Sequence, residues 1–192
     1  MRRICGVVTL VLVLLAAIAA GNAWAGKTSI VSATASDEEA FYQSQILPMA
    51  LNVYYEARGE KELGQMMVAY VTLKRAEDNR EQWGGNRIVD VVFKKKQFSW
   101  ASKSKIAKLL PHGPAWDKAI AVATWVALGF FEPPAVLVDA RYYVNSQTAE
   151  HKNLCWMATT LMRVGFVGNH DFYREPAPGE KPKYIPSAFK CS

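Results

Sequence analysis

Two glutamates, Glu56 and Glu60, close the stretch Ala50-Leu51-Asn52-Val53-Tyr54-Tyr55-Glu56-Ala57-Arg58-Gly59-Glu60. A carboxyl can give up a proton and take it back, but only if it still holds one at the working pH. A glutamate with a free-peptide pKa of about 4.3 is protonated in roughly 0.2% of molecules at pH 7, whereas a general acid needs a value nearer ~6. Burial or a neighbouring like charge supplies such a shift. Tyr54 and Tyr55 offer Glu56 poorly solvated surroundings, and Glu60 offers the like charge if the turn keeps helical spacing. Arg58 would pull the other way. On residue type alone, the pair also fits exposed carboxylates at a helix end.

The elements that must position these groups follow from the pattern around them. Leu47, Leu51, Tyr54 and Arg58 recur at helical spacing, Pro48 suits a first turn, and Gly59 suits the residue after the C-cap. Glu56 then falls in the last turn, where the negative end of the macrodipole disfavours another negative charge. Before it, Ser36 with Glu39 makes a capping-box pattern, so a first helical segment runs from there toward Gln45 until Pro48 restarts or kinks it. After it, Leu63, Met66, Met67, Tyr70, Val71 and Lys74 repeat with helical period and predict a helix over residues 62–77.

Residues 88–93 fit a short helix, and Gln97-Phe98-Ser99-Trp100 a strand or turn that packs Phe98 and Trp100 inward. Residues 115–128 carry the clearest apolar stripe and read as scaffold, ended by Gly129. Residues 135–144 lean toward strand and lead into Asn145; residues 159–166 and 171–174 read as two strands around a Gly168-Asn169 turn.

Four blocks carry a family resemblance: Tyr54 to Glu60 followed by Gly64-Gln65, Ala69-Tyr70-Val71-Thr72-Leu73-Lys74-Arg75, Lys96-Gln97-Phe98-Ser99-Trp100, and Arg163-Val164-Gly165-Phe166-Val167-Gly168-Asn169-His170-Asp171-Phe172-Tyr173. In order and content they resemble the cell wall hydrolase family typified by the catalytic domain of the spore cortex-lytic enzyme SleB, over roughly residues 47–174. The resemblance implies an α+β fold, a mainly helical lysozyme-like domain with a small antiparallel β-sheet flanking a cleft. It also implies an exported peptidoglycan-degrading enzyme, a lytic transglycosylase that cleaves between MurNAc and GlcNAc. Glu56 would protonate the glycosidic oxygen and then, as carboxylate, take the proton of the muramic acid C6 hydroxyl, giving a 1,6-anhydro product. Gln97, Ser99, Tyr143 and Asn145 would line the substrate cleft. His170 resembles the family's histidine, although alone it reads more often as a structural hydrogen-bonder than as a catalyst.

Glycosidases normally place two carboxyls across the scissile bond, roughly 5–5.5 Å or 6.5–9.5 Å apart. Glu60, one turn from Glu56, would stand beside it rather than across from it, and Asp171 is the other acid in the matched blocks. One acid is therefore the economical expectation. Lys74, where the family has asparagine, and Cys155-Trp156, where small or polar residues are usual, depart from the pattern.

With 192 residues, 51% of them hydrophobic, the chain has material for one sizeable core. Arg2 and Arg3, the apolar run from Ile4 to Ala20 and Ala23-Trp24-Ala25 read as a signal peptide over residues 1–25, or as an anchor if uncleaved. Residues 26–36 read as a flexible leader, 37–174 as the catalytic domain, and 175–192, with Pro176, Pro178, Pro182 and Pro186, as an extended tail. The net charge is +6; cleavage would remove Arg2 and Arg3 and leave 21 Lys+Arg against 17 Asp+Glu, a mature +4 that suits an anionic envelope and gives no strong case for nucleic acid. Lys94, Lys95, Lys96, Lys103, Lys105 and Lys108 read as a solvated face.

After export, Cys155 and Cys191 would either pair as a disulfide or leave Cys155 as a buried thiol. No cofactor or metal is expected, since His112, His151 and His170 lack zinc-ligand spacing. The expected partner is the peptidoglycan glycan strand, met by a monomer in the periplasm or extracellular envelope, with membrane contact only through an uncleaved N-terminal segment. A non-catalytic peptidoglycan-binding envelope protein is the alternative.

Overall fold

The structure, a computed structural model, describes residues 34–101, 110–182 and 191, all within the unit Thr34–Ser192. The expected signal peptide, the leader up to residue 33, and Lys103, Lys105 and Lys108 lie outside the described residues.

Helix α1, Ala35–Phe41, starts two residues before the expected capping box. Thr34 is its N-cap: the Thr34 hydroxyl accepts the Asp37 N–H at 3.3 Å, and the Asp37 carboxylate accepts the Thr34 N–H at 3.0 Å. The expected break before Pro48 does not occur. The chain passes through a π-helical turn, Tyr42–Ile46, into α2, Leu47–Ala57. A proline at this point lacks the N–H for an α-helical bond and would press on the carbonyl four residues back. In the widened turn the Leu47 N–H reaches back to the Tyr42 carbonyl, so the helix absorbs the ring instead of ending at it.

Helices α3 (Glu62–Glu77), α4 (Ile88–Phe93) and α5 (Pro114–Ala127) follow, the first and second over the expected residues. α2, α3 and α5 pack on one another around Met49, Val53, Met67, Val68, Val71 and Ala123, each 0% exposed. Burial of each such Val or Met side chain contributes about 1.5–3 kcal/mol. Gly129, at φ +77°, terminates α5 as expected, but Gly59 is not among the positive-φ glycines, so α2 ends without a left-handed residue.

The three strands are β1 (Tyr142–Asn145), β2 (Met162–Val167) and β3 (His170–Arg174), antiparallel in the order β1-β3-β2. Tyr143 faces Phe172 and Asn145 faces His170 in the register. Only the last residues of the expected 135–144 run form strand. Its start is a 3-10 turn, Ala135–Leu137, with Val136 70% exposed, because Leu137 alone is needed inside, against Gly165.

Residues 159 and 160, expected as strand, end helix α6, His151–Thr160, which the pattern did not signal. That helix has no side-chain cap and buries only Leu154 and Ala158, so its apolar stripe is too thin to read. Cys155 on α6 is bonded to Cys191, with Cα atoms 5.4 Å apart. Among the described residues, no helix is long and apolar enough to cross a membrane.

Candidate active site

Asn52 stands one helical turn before Glu56, on the same face of α2, and is 0% exposed. Its Nδ2 donates to Thr72 Oγ1 on α3 (2.9 Å) and to the Tyr143 hydroxyl on β1 (3.2 Å), while its Oδ1 accepts from Trp100 Nε1 (3.2 Å). One buried amide thus ties α2, α3, the sheet and the Gln97–Trp100 turn together beneath the glutamate. Buried polar groups that are fully engaged in this way fix relative orientation, because any shift leaves a donor unpaired.

Arg75, on α3, is buried in the same layer. Its Nε donates to the Arg141 carbonyl (2.7 Å) and an Nη to Gln97 Oε1 (3.2 Å), and its guanidinium lies 5.8 Å from the Phe98 ring and 5.5 Å from the Tyr142 ring. Burial lowers its pKa from the usual arginine value, yet a guanidinium keeps its charge. Glu56 is half-buried, and burial pushes its pKa up to about 7, against the pull of Arg75. The rise comes mainly from desolvation; about half of the molecules carry the proton at neutral pH. Tyr143, buried beside it, is pushed well above the ordinary tyrosine value by burial and by the Glu56 charge.

The expected neighbours of Glu56 are arranged differently from the sequence pattern. Glu60 turns away from it. Its Oε2 accepts the Asn169 N–H at 3.3 Å and its Oε1 lies 3.6 Å from His170 Nδ1. A Cβ at Gly168 would stand 1.9 Å from that Oε2, so only glycine, at φ +58°, leaves room for the contact. Arg58 lies over the Tyr54 ring, 5.0 Å from its centroid, and Arg75 is the cation that acts on Glu56. Asp171 accepts from Arg163 Nε at 2.8 Å.

The remaining expected contacts divide by orientation. Gln97 is committed inward: besides accepting from Arg75, it donates to the Gln82 carbonyl at 2.8 Å. Tyr143 is 8% exposed and His170 is 2% exposed. Burial lowers the His170 pKa, so its ring is neutral at pH 7, set edge-on to Tyr143 at 5.5 Å. Ser99 is exposed. Asn145 is half-buried, and its Oδ1 accepts the Gln147 N–H at 3.0 Å. Gln65, quoted above only as part of a motif, closes the turn after α2 by donating to the Glu60 carbonyl at 3.1 Å.

Tyr55, expected only as poorly solvated surroundings for Glu56, adds a contact surface. It is 41% exposed and stacks on the buried Trp100 ring, centroids 4.7 Å apart and planes 20° apart. Tyr54 meets Tyr55 edge-on at 5.3 Å. Among the described residues, no group of three His, Cys, Asp or Glu side chains could hold a metal ion.

A mainly helical α+β domain, with a small antiparallel sheet and a half-buried glutamate whose pKa burial raises to about 7, defines the class. The sequence pattern of the cell wall hydrolase family matches residues 59–173, and the chain belongs to that family. Glu56 lies just ahead of the matched span. Two solved structures share the fold. The catalytic domain of the germination-specific lytic transglycosylase SleB from Bacillus anthracis is 29% identical, covering 69% of this chain and 95% of that one, with a TM-score of 0.53. The catalytic domain of the Bacillus cereus SleB protein is 27% identical, covering 79% and 100%, with a TM-score of 0.52. No curated protein matches the chain.

Proposed function

We propose that this chain is exported and cleaves peptidoglycan glycan strands between MurNAc and GlcNAc as a lytic transglycosylase, with Glu56 as its one proton-transferring carboxyl. The observation that carries this reading is a glutamate whose pKa burial raises to about 7, while Glu60 and Asp171 are each engaged elsewhere. Membership of the cell wall hydrolase family and likeness to a solved lytic transglycosylase domain support the substrate and the reaction.

In the first step protonated Glu56 gives its proton to the glycosidic oxygen as the C1–O bond breaks, and the GlcNAc-side alcohol leaves. The muramic acid C6 hydroxyl then attacks C1, and the Glu56 carboxylate takes the hydroxyl proton, which restores the acid and closes a 1,6-anhydro ring. No water is consumed. A pKa near the working pH suits a group that must serve both roles. Arg75 stabilises the carboxylate between the two steps, which is when its charge matters most.

The open face of Tyr55 takes a sugar ring, and Ser99 and the Asn145 amide supply polar contacts. Gln97, Tyr143 and His170 act from behind: Gln97 clamps Arg75, Tyr143 engages Asn52, and His170 packs edge-on against Tyr143 while Glu60 holds the β2–β3 turn through the Asn169 N–H. A disulfide between Cys155 and Cys191 suits an oxidising compartment.

The test is a zymogram with peptidoglycan in the gel. The wild-type chain should clear it, and Glu56→Gln, which keeps shape but cannot donate and recover a proton, should lose activity by at least about a thousandfold. A clearing Gln variant removes Glu56 from the chemistry, and a wild-type chain that binds without clearing is a carbohydrate-binding protein.

A further inference from the structure

Beyond Tyr55, away from Glu56, the end of α2 opens into a second surface. Tyr54, Tyr55 and Arg58 face Leu110, Pro111 and His112 across a groove of about 430 Å³. On a helix Tyr54 and Arg58 are one turn apart on one face, and Glu56 lies on nearly the opposite face, with Tyr55 between them. The groove therefore continues around the helix end from the site already described, and Tyr55 is the residue common to both.

Its lining has a definite chemistry. The Arg58 guanidinium rests on the Tyr54 ring, 5.0 Å from its centroid, and Tyr54 is in turn braced edge-on by Trp116 at 5.9 Å. Among the described residues, no carboxylate forms an ion pair with Arg58. A guanidinium held in place by an aromatic face, yet exposed and, among the described residues, without an anion, is prepared for a bidentate carboxylate from outside. His112 stands on the opposite wall, and among the described residues no acidic side chain lines the groove. The aromatic faces suit sugar rings or aliphatic chain, while the cation selects a carboxylate.

Resting on the proposed function, we infer that this groove is a subsite for the carboxylate-bearing peptide stem of a muramoyl residue beside the scissile bond, with Arg58 holding the carboxylate and Tyr54 and Tyr55 holding the adjoining apolar surface. In peptidoglycan the lactyl group of each muramic acid carries a short peptide with free carboxylates, so a glycan strand seated at Glu56 must lay such stems on one flank of its cleft. Arg58 is then a specificity-determining residue: it distinguishes charged stems from neutral ones and acts on substrate capture, leaving the proton transfer at Glu56 to itself.

The experiment compares sacculi with their stem carboxylates intact and sacculi whose carboxylates have been amidated with carbodiimide and ammonia. Wild-type chain and Arg58→Gln, both checked by circular dichroism, are assayed on each by the release of soluble muropeptides. The wild-type chain should digest the amidated material about tenfold less efficiently, mostly through KM, as expected for the loss of one charge-assisted contact. Arg58→Gln should be slow on native sacculi by the same factor and indifferent to amidation. Equal wild-type rates on both substrates, or an amidation penalty that persists in Arg58→Gln, overturns the subsite while leaving the proposed activity standing. A wild-type chain that digests neither substrate overturns the activity and the subsite together.

Discussion

Holding Glu56 where it resists ionisation costs the folded state stability once the carboxyl is charged, in a way that can be measured. The native chain retains the Glu56 proton between the ordinary value of 4.5 and about 7, whereas the unfolded chain releases it there. Stability contributed by this group therefore falls as pH rises through that window, since the native state is the one that binds more protons. Above about pH 7 a charged carboxylate occupies a half-buried position, at a cost on the order of 1–3 kcal/mol. Glutamine has nothing to ionise. Urea unfolding should find Glu56→Gln close to the wild type at pH 4 and more stable by about 1–3 kcal/mol at pH 8. Equal stability at both values would mean that the carboxyl is solvated and its proton ordinary.

At the scale of elements, the β2–β3 turn is fastened to the helix-end turn by one carboxylate. Glu60 reaches the Asn169 N–H and the His170 ring only because Gly168 has no side chain and adopts φ +58°. Gly168→Ala combines a strained backbone with displacement of a buried carboxylate, so a loss on the order of 2–3 kcal/mol is expected in thermal or urea unfolding. Retention of wild-type stability would show that Glu60 does not fasten the turn.

The same turn illustrates what a sequence can disclose. Gly168-Asn169 between two β-leaning runs is a local signal, as are the unbroken apolar stripe of residues 62–77 and the Gly129 that ends α5, and these elements were legible for that reason. Glu56 was legible too, because a carboxyl beside tyrosines at a helix end is an arrangement of adjacent residues. The partners that set its behaviour were not. Arg75 reaches Glu56 from another helix, Glu60 is drawn off by a loop over a hundred positions further on, and Gln97 and Tyr143 spend their polar atoms on Arg75 and Asn52 inside the protein. These depend on packing between distant segments, which residue spacing does not encode. Helix α6 and the π turn escaped for a different reason: one buries too little, and the other replaces a break that proline ordinarily causes.

Across the whole molecule, the disulfide is the longest-range covalent constraint. Cys155 and Cys191 are separated by 36 positions in sequence, and closing a loop of that length restricts the unfolded chain by about 4 kcal/mol on chain-entropy grounds. Calorimetry with and without a reductant should show a clear drop in melting temperature on reduction, with muropeptide release at 25 °C unchanged; a melting temperature indifferent to reductant would mean that the bond adds nothing to stability.

Without Arg2 and Arg3 of the expected signal peptide, 21 Lys+Arg stand against 17 Asp+Glu, a net charge of +4 that, with the open groove by Tyr55 and Arg58, suits an anionic polymer, and what becomes of peptidoglycan given to the chain reports on the proposed chemistry directly. Mass spectrometry of the muropeptides released from sacculi is the most direct measurement. If a single carboxyl works with the substrate's own hydroxyl as nucleophile, the muramic ends are 1,6-anhydro and lighter than hydrolysis products by one water. Reducing muramic ends of full mass would mean that water, and not the C6 hydroxyl, is the nucleophile, contrary to transglycosylation.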